Sequence, residues 1–193
     1  MALKKEETLK IFRDTGALLE GHFILTSGLH SASYFQCAKV FQYPWHAEKL
    51  SREIADHFRK EKISVVVSPA VGGIVFGQEV GRLLNCRAIF TERVEGKMAL
   101  RRGFELSPGD RVLVAEDVTT TGGSVKEVME AVRSAGAEVG AVTAVVDRSG
   151  GRAQFGVPYF SLIKMDVSNY DPKDCPLCKA GSQAVKPGSR GLK

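Results

Sequence analysis

The segment Val112-Leu113-Val114-Ala115-Glu116-Asp117-Val118-Thr119-Thr120-Thr121-Gly122-Gly123-Ser124 constrains this chain more than any other part of it. Residues 112–115 form a short apolar run after the turn pair Pro108-Gly109, the pattern of a strand buried in a parallel sheet. Two adjacent acids follow, then small hydroxyl and glycine residues that open a helix. Ligands of open α/β sheets bind outside the carboxyl ends of strands, where a loop feeds the unpaired N–H groups of the next helix. Gly122 and Gly123 allow a tight turn and a close backbone approach, and the hydroxyls of Thr119, Thr120, Thr121 and Ser124 add donors without bulk. Ser124 and Glu127 have capping-box spacing, Val125, Val128, Met129 and Val132 share one helical face, and Gly136 ends the helix. A phosphate at such a helix start meets both free N–H groups and the positive end of the dipole. Glu116 and Asp117 would repel that phosphate, yet ionised carboxylates accept hydrogen bonds well from vicinal sugar hydroxyls. The layout therefore suits a ribose 5-phosphate: the acids read the sugar and the loop reads the phosphate.

The uninterrupted order of strand, acid pair, hydroxyl-glycine loop and helix resembles the signature of the type I phosphoribosyltransferases, which use phosphoribosyl pyrophosphate (PRPP). The resemblance implies an α/β fold, a parallel twisted sheet flanked by helices with a small N-terminal hood. It implies that Glu116 and Asp117 contact the ribose, with catalytic consequence, and that Val118, Thr119, Thr120, Thr121, Gly122, Gly123 and Ser124 hold the 5-phosphate.

The 193 residues, 44% hydrophobic and 25% charged, suffice for one full core, so a single domain over 1–193 is the expectation. No apolar stretch is long enough to span a membrane, and Met1-Ala2-Leu3-Lys4-Lys5-Glu6-Glu7 lacks the apolar centre of a signal peptide, which points to the cytoplasm. A net charge of +5 fits anionic small molecules, and without a dense Lys/Arg block it argues against nucleic acid.

Along the chain, a short helix carrying Leu9, Ile11 and Phe12 leads to a stretch rich in Ser, His and aromatics, followed by a helix with Ala47, Leu50, Ile54 and Phe58 on one face. Strands are expected at 63–67, 87–91, 139–146 and 159–163, a helix at about 74–84, and a flexible excursion or long β-hairpin over 92–108. Alternation of strands and helices implies a parallel sheet with right-handed crossovers. Cys37 and Cys86 sit among apolar neighbours and read as reduced core or near-core residues.

Four further segments extend the resemblance over about residues 15–165. Ser68-Pro69-Ala70-Val71-Gly72-Gly73 lies between a strand and a helix; its family counterpart receives the pyrophosphate of PRPP, which assigns Val71 and Gly72 to that end of the substrate. The charged excursion resembles the mobile catalytic loop of the orotate phosphoribosyltransferases, so Arg93 and Lys97 are expected on PRPP and Lys97 on the departing pyrophosphate, whose developing charge cations stabilise. Glu92 departs from that pattern, as do Met98 and Ala99, and Arg101 or Arg102 could supply the missing cation. The stretch 21–35 is similar to the hood of the same enzymes, which implies hood elements near 16–45 and places Tyr34 and Phe35 on either side of the base. Thr26 stands there where some members carry a PRPP-binding lysine. Asp147-Arg148 after an apolar strand matches a contact to the base, Arg148 gripping a carboxylate with Thr120 as the second contact.

What these segments jointly imply is an orotate phosphoribosyltransferase of pyrimidine synthesis: orotate and PRPP as substrates, orotidine 5-monophosphate and pyrophosphate as products, and Mg2+ held mainly by PRPP. They also imply a homodimer with shared active sites. The alternatives are a purine phosphoribosyltransferase and a non-catalytic, PRPP-sensing regulator that binds nucleic acid. From 166 to 193 the pattern decays into a partly irregular tail whose last ten or so residues have a disordered composition. Its Cys175-Pro176-Leu177-Cys178 has half the spacing of a structural zinc site. With no second pair or close histidine after it, a metal site, a redox pair and an uncommitted tail stay open, and the last is favoured.

Overall fold

The computed structural model describes residue 3, residues 5–25 and residues 27–187. Thr26 and residues 188–193, on which two of the expectations above fall, lie outside the described residues. In chain order the elements are α1 (Lys5–Asp14), β1 (Leu18–Ile24), β2 (His30–Phe35), α2 (Ala38–Phe41), α3 (Pro44–Phe58), β3 (Val65–Pro69), α4 (Gly73–Leu84) and β4 (Arg87–Val94). Then come β5 (Lys97–Leu100), β6 (Arg111–Thr119), α5 (Gly123–Ser134), β7 (Glu138–Asp147), β8 (Tyr159–Lys164), β9 (Asn169–Tyr170) and α6 (Pro176–Lys179).

Alternation along two central strands builds the layers. In β3 and β6, Val66, Leu113 and Ala115 face one side, where Leu50, Ile54 and Phe58 of α3 and Phe76 and Val80 of α4 cover them. Val65, Val67, Val112 and Val114 face the other, against Val125, Val128, Met129 and Val132 of α5. Successive strand residues point to opposite faces, so a run that is apolar at every position requires helices on both. The main sheet runs β5-β4-β3-β6-β7-β8 and is parallel except for the β4–β5 edge hairpin. Its turn, at Glu95-Gly96, has positive φ at both residues, the conformation that matches strand twist in a two-residue loop. Of the two expectations for 92–108, the hairpin is found, in a short form: β4 continues to Val94 and the chain pairs back from Lys97 to Leu100.

A second, three-stranded antiparallel sheet, β1-β2-β9, sits where the hood was expected. It corrects the reading of the tail. β9 pairs with β2 at His30 and Ser31, and Val185 donates its N–H to the His22 carbonyl while accepting from the Ile24 N–H, so the C-terminal segment is built into the hood as far as Val185. No helix of the described residues is long and apolar enough to cross a membrane.

Candidate active site

From β3 the chain steps outward to β4, whereas β6, β7 and β8 lie on the opposite side of β3, so the strand order reverses between β3 and β6. Two strand-to-helix loops therefore leave adjacent strands side by side, the arrangement that opens a crevice in α/β sheets. One is the loop 70–72, which feeds α4 and contains a cis peptide between Ala70 and Val71. The other is the signature loop after Thr119.

The signature residues Glu116, Val118, Thr119, Thr120, Thr121, Gly122, Gly123 and Ser124 line a cavity of about 260 Å³ together with Val125 and Glu127. Gly122 occupies the N-cap of α5 at φ 79, and a Cβ there would stand 2.7 Å from the Phe155 ring, so neither backbone nor space admits a larger residue. The expected capping box does not form. Because Gly122 is the cap, Ser124 lies inside the first turn, and Glu127 pairs instead with Arg93 at 2.9 Å. Neither Gly72 at the start of α4 nor Gly122 at the start of α5 offers a side-chain cap, which leaves backbone N–H groups at both helix starts for an anion.

Asp117 joins the two loops. A Cβ at Gly72 would stand 2.7 Å from Asp117 Oδ2, so glycine is what lets this carboxylate overhang the first loop. The Val118 N–H donates to Asp117 Oδ1 at 2.8 Å, and the Asp117 N–H donates to Glu116 Oε1 at 3.2 Å. Burial, and then the neighbouring Asp117 carboxylate, push the Glu116 pKa well above its ordinary range. Burial also raises that of Asp117, against the hydrogen bonds from Glu116 and the Val118 N–H. A desolvated acid pair of this kind is satisfied by hydroxyl donors or by a cation. Beneath it lies Cys37, its thiol raised well above normal by burial and by both acids, and Sγ 3.9 Å from the Asp117 carbonyl. Cys37 is buried and Cys86 half-buried against the core, both free, as expected.

Arg148 is fastened to the same edge, its N–H donating to the Thr119 carbonyl at 2.8 Å. Its side chain is 4% exposed and turns into the hood, where Nη2 donates to Ser31 Oγ at 3.0 Å and to the Ser33 carbonyl at 3.2 Å. The guanidinium lies 6.0 Å from the centre of the Phe35 ring, burial lowers its pKa, and Nε has no partner among the described residues. Phe35 and Tyr34 do not form a matched pair of walls. Neighbours on β2, they point to opposite faces: Phe35 enters the core edge-on to Phe12 at 5.7 Å, while Tyr34 is half-buried beside Phe23 at 6.0 Å.

On the edge hairpin, Arg93 is held by Glu127 and donates to the Gly96 carbonyl. Arg102 forks onto Glu92 at 2.8 and 2.9 Å. Lys97 is exposed and makes no ion pair among the described residues. Val71 is 81% exposed at the tip of its loop.

One cluster escaped the sequence reading. His22 and His30 meet Cys175 and Cys178 in the hood. The histidines precede the cysteine pair by some 150 positions, so a search beside the pair could not find them. The signal was there in two histidines eight positions apart in a segment of strand character.

A family profile described as "Phosphoribosyl transferase domain" matches residues 42–173. The chain is 56% identical over 188 residues to the orotate phosphoribosyltransferase of Chlorobaculum parvum, covering 97% of each chain. It is 54% identical over 190 residues to that of Caldanaerobacter subterraneus subsp. tengcongensis, covering 98% of this chain and all of the other. The crystal structure of orotate phosphoribosyltransferase from Aeropyrum pernix superimposes with a TM-score of 0.64 at 27% identity, over 80% of this chain and 91% of that one. A strand-order reversal flanked by two uncapped helix starts, an acid pair bridging them, and relatives that match end to end lead to one assignment: this chain belongs to the phosphoribosyltransferase family, among the orotate phosphoribosyltransferases.

Proposed function

We propose that the chain transfers the ribose 5-phosphate of PRPP to orotate, releasing pyrophosphate and forming orotidine 5-monophosphate. The signature loop takes the 5-phosphate on the N-terminus of α5, and Val71 and Gly72 present backbone to the pyrophosphate at the start of α4. Glu116 and Asp117, between them, accept hydrogen bonds from the ribose hydroxyls. Holding both ends of one substrate fixes its anomeric carbon, and positioning of this kind removes much of the entropic barrier.

Arg148 receives the carboxylate of orotate. A desolvated guanidinium with a partnerless Nε is a donor in need of an anion, and its backbone tie to Thr119 sets the base beside the sugar. Thr120 is the second contact to the base, Tyr34 lines its approach from the hood, and Phe35 supports Arg148 from below. Lys97, without an ion pair among the described residues, closes over the leaving pyrophosphate together with Arg93, which exchanges Glu127 for phosphate oxygens.

The raised acid pair, Glu116 buried and Asp117 half-buried, fits a hard divalent cation, with Asp117 the carboxylate nearest both loops. Such a Mg2+ ion, kept mainly by PRPP oxygens, would neutralise the leaving group when bound. Two active sites shared across a homodimer, in the cytoplasm, complete the reading. An apolar cleft of about 650 Å³ with exposed Trp45 and Val75 supports a subunit contact on the α3–α4 face.

The observation that carries the proposal is the meeting of three parts at one edge: Asp117 over Gly72, the cavity of the signature loop, and Arg148 tied to Thr119. Spectrophotometric loss of orotate in the presence of PRPP and Mg2+ tests it, with adenine, hypoxanthine and xanthine as competing bases. Turnover of a purine and not of orotate would overturn it; PRPP binding with no base consumed would favour a regulator.

A further inference from the structure

We propose that His22, His30, Cys175 and Cys178 form a structural zinc site that locks the C-terminal segment onto the hood. The four ligand atoms lie within 4.8 Å of one another. His22 Nε2 is 2.8 Å from His30 Nδ1, 3.5 Å from Cys175 Sγ and 3.7 Å from Cys178 Sγ, and Cys178 Sγ is 3.3 Å from His30 Nδ1. A tetrahedron with ordinary zinc bond lengths needs ligand separations of about 3.3 Å for N···N, about 3.6 Å for N···S and about 3.8 Å for S···S. The three N···S separations lie within about 0.3 Å of these spacings and the N···N separation about 0.5 Å short of its own, so a small opening of the two imidazoles admits the ion, and two imidazoles with two thiolates are a donor set that selects zinc.

Burial and the surrounding bonds point the same way. His22, His30 and Cys175 are 4%, 8% and 0% exposed, so the cluster is sealed on the hood side, as a site with four protein ligands and no open position should be. His22 Nδ1 faces the Ser182 carbonyl at 3.0 Å, which sets its proton on Nδ1 and aims the Nε2 lone pair inward, the usual outer support of a metal-bound histidine. Cys175 caps α6 and Cys178 ends its turn, with the Lys179 N–H donating to the Cys175 carbonyl, so both sulfurs are presented from one tight turn. As a hydrogen-bonded cluster alone, the same atoms would have two weak thiol donors and one shared imidazole proton to satisfy four groups, three of them buried. Binding Zn2+ releases the two thiol protons to solvent and leaves a site of no net charge.

The site has a mechanical consequence. His22 lies on β1, His30 on β2 and both cysteines near α6, and the same β2 carries Ser31 and Ser33, which hold Arg148. One ion would thus cross-link three segments just behind the pocket assigned to the base. The ordering entropy of a segment as long as 171–187 needs such an anchor, because its buried apolar contribution is small.

Metal analysis of the full-length protein, purified under reducing conditions without chelator or affinity metal, is expected to find one zinc per chain. Reconstitution with Co2+ is expected to show the visible absorption of tetrahedral cobalt and a thiolate-to-cobalt charge-transfer band. Cys178→Ser, at the one exposed cysteine of the four, should lose both the band and the stoichiometric zinc while remaining folded by circular dichroism. Wild-type protein that holds only substoichiometric zinc after reconstitution, gives an octahedral cobalt spectrum, or contains a Cys175–Cys178 disulfide would overturn the proposal. Because these readouts need neither PRPP nor orotate, they stand or fall apart from the catalytic reading.

Discussion

The edge of the main sheet and the hood solve the same problem, holding polar groups at fixed positions, by opposite means. At the edge, Glu116 to Ser124 are contiguous, and their geometry follows from a strand ending and a helix beginning, both secured by buried apolar faces. In the hood, Arg148, Ser31, Ser33 and the His/Cys cluster come from three distant parts of the chain and are held by bonds between side chains and backbone. A site built on element termini inherits its rigidity from the core; one assembled from loops and short strands needs its own cross-links.

This contrast is sharpest in the kinetics. Removing the hairpin cation with Lys97→Ala is expected to lower kcat by roughly 10²-fold while barely changing the dissociation constant for orotate, the outcome that its proposed action on the leaving group requires. Stopped-flow turnover beside orotate titration measures both, and equal losses would remove the division of labour between edge and hood. Arg148→Lys should have the complementary effect. It keeps the charge but loses the fork, so KM for orotate is expected to rise by about 10- to 100-fold, the worth of about 1.5–3 kcal/mol in a charged hydrogen bond. Steady-state assays varying each substrate in turn check that KM for PRPP stays near the wild-type value.

Two smaller effects probe the edge alone. Gly122→Ala strains a residue at φ 79 and pushes a Cβ against Phe155, so a loss of about 1–3 kcal/mol in stability and weaker PRPP binding are expected from urea melts and calorimetry. An unchanged melt would show that Phe155 can withdraw without cost. The smallest effect concerns pH. Burial raises the Glu116 pKa above its ordinary 4.5, so between the two values the native state holds more protons than the unfolded one, and stability falls as pH rises through that window. Glu116→Gln lacks this dependence, and thermal melts from mildly acidic to neutral pH should show its stability gaining on the wild type as pH increases. Parallel curves would place Glu116 in contact with water.

Much of the edge is legible in the sequence, because an apolar run facing helices on both sides and a hydroxyl-glycine loop are local features, and locality is what periodicity and turn chemistry encode. The helical faces of α3 and α5 fell where Leu50, Ile54, Val128 and Val132 recur, while the start of α5 did not: the left-handed Gly122 beneath Phe155 set it, and Phe155 is remote in sequence. Tyr34 and Phe35 read as a pair, yet the alternation of β2 sends them to opposite faces. The chain alone determined the layered α/β architecture and the hydroxyl-glycine loop at the edge to which the 5-phosphate is assigned. Only the tertiary structure decided that Asp117 overhangs Gly72, that Arg148 turns into the hood, and that Cys175 and Cys178 meet His22 and His30. Those contacts join residues tens to more than a hundred positions apart, and their closure depends on the packing of the whole sheet, which no local pattern records.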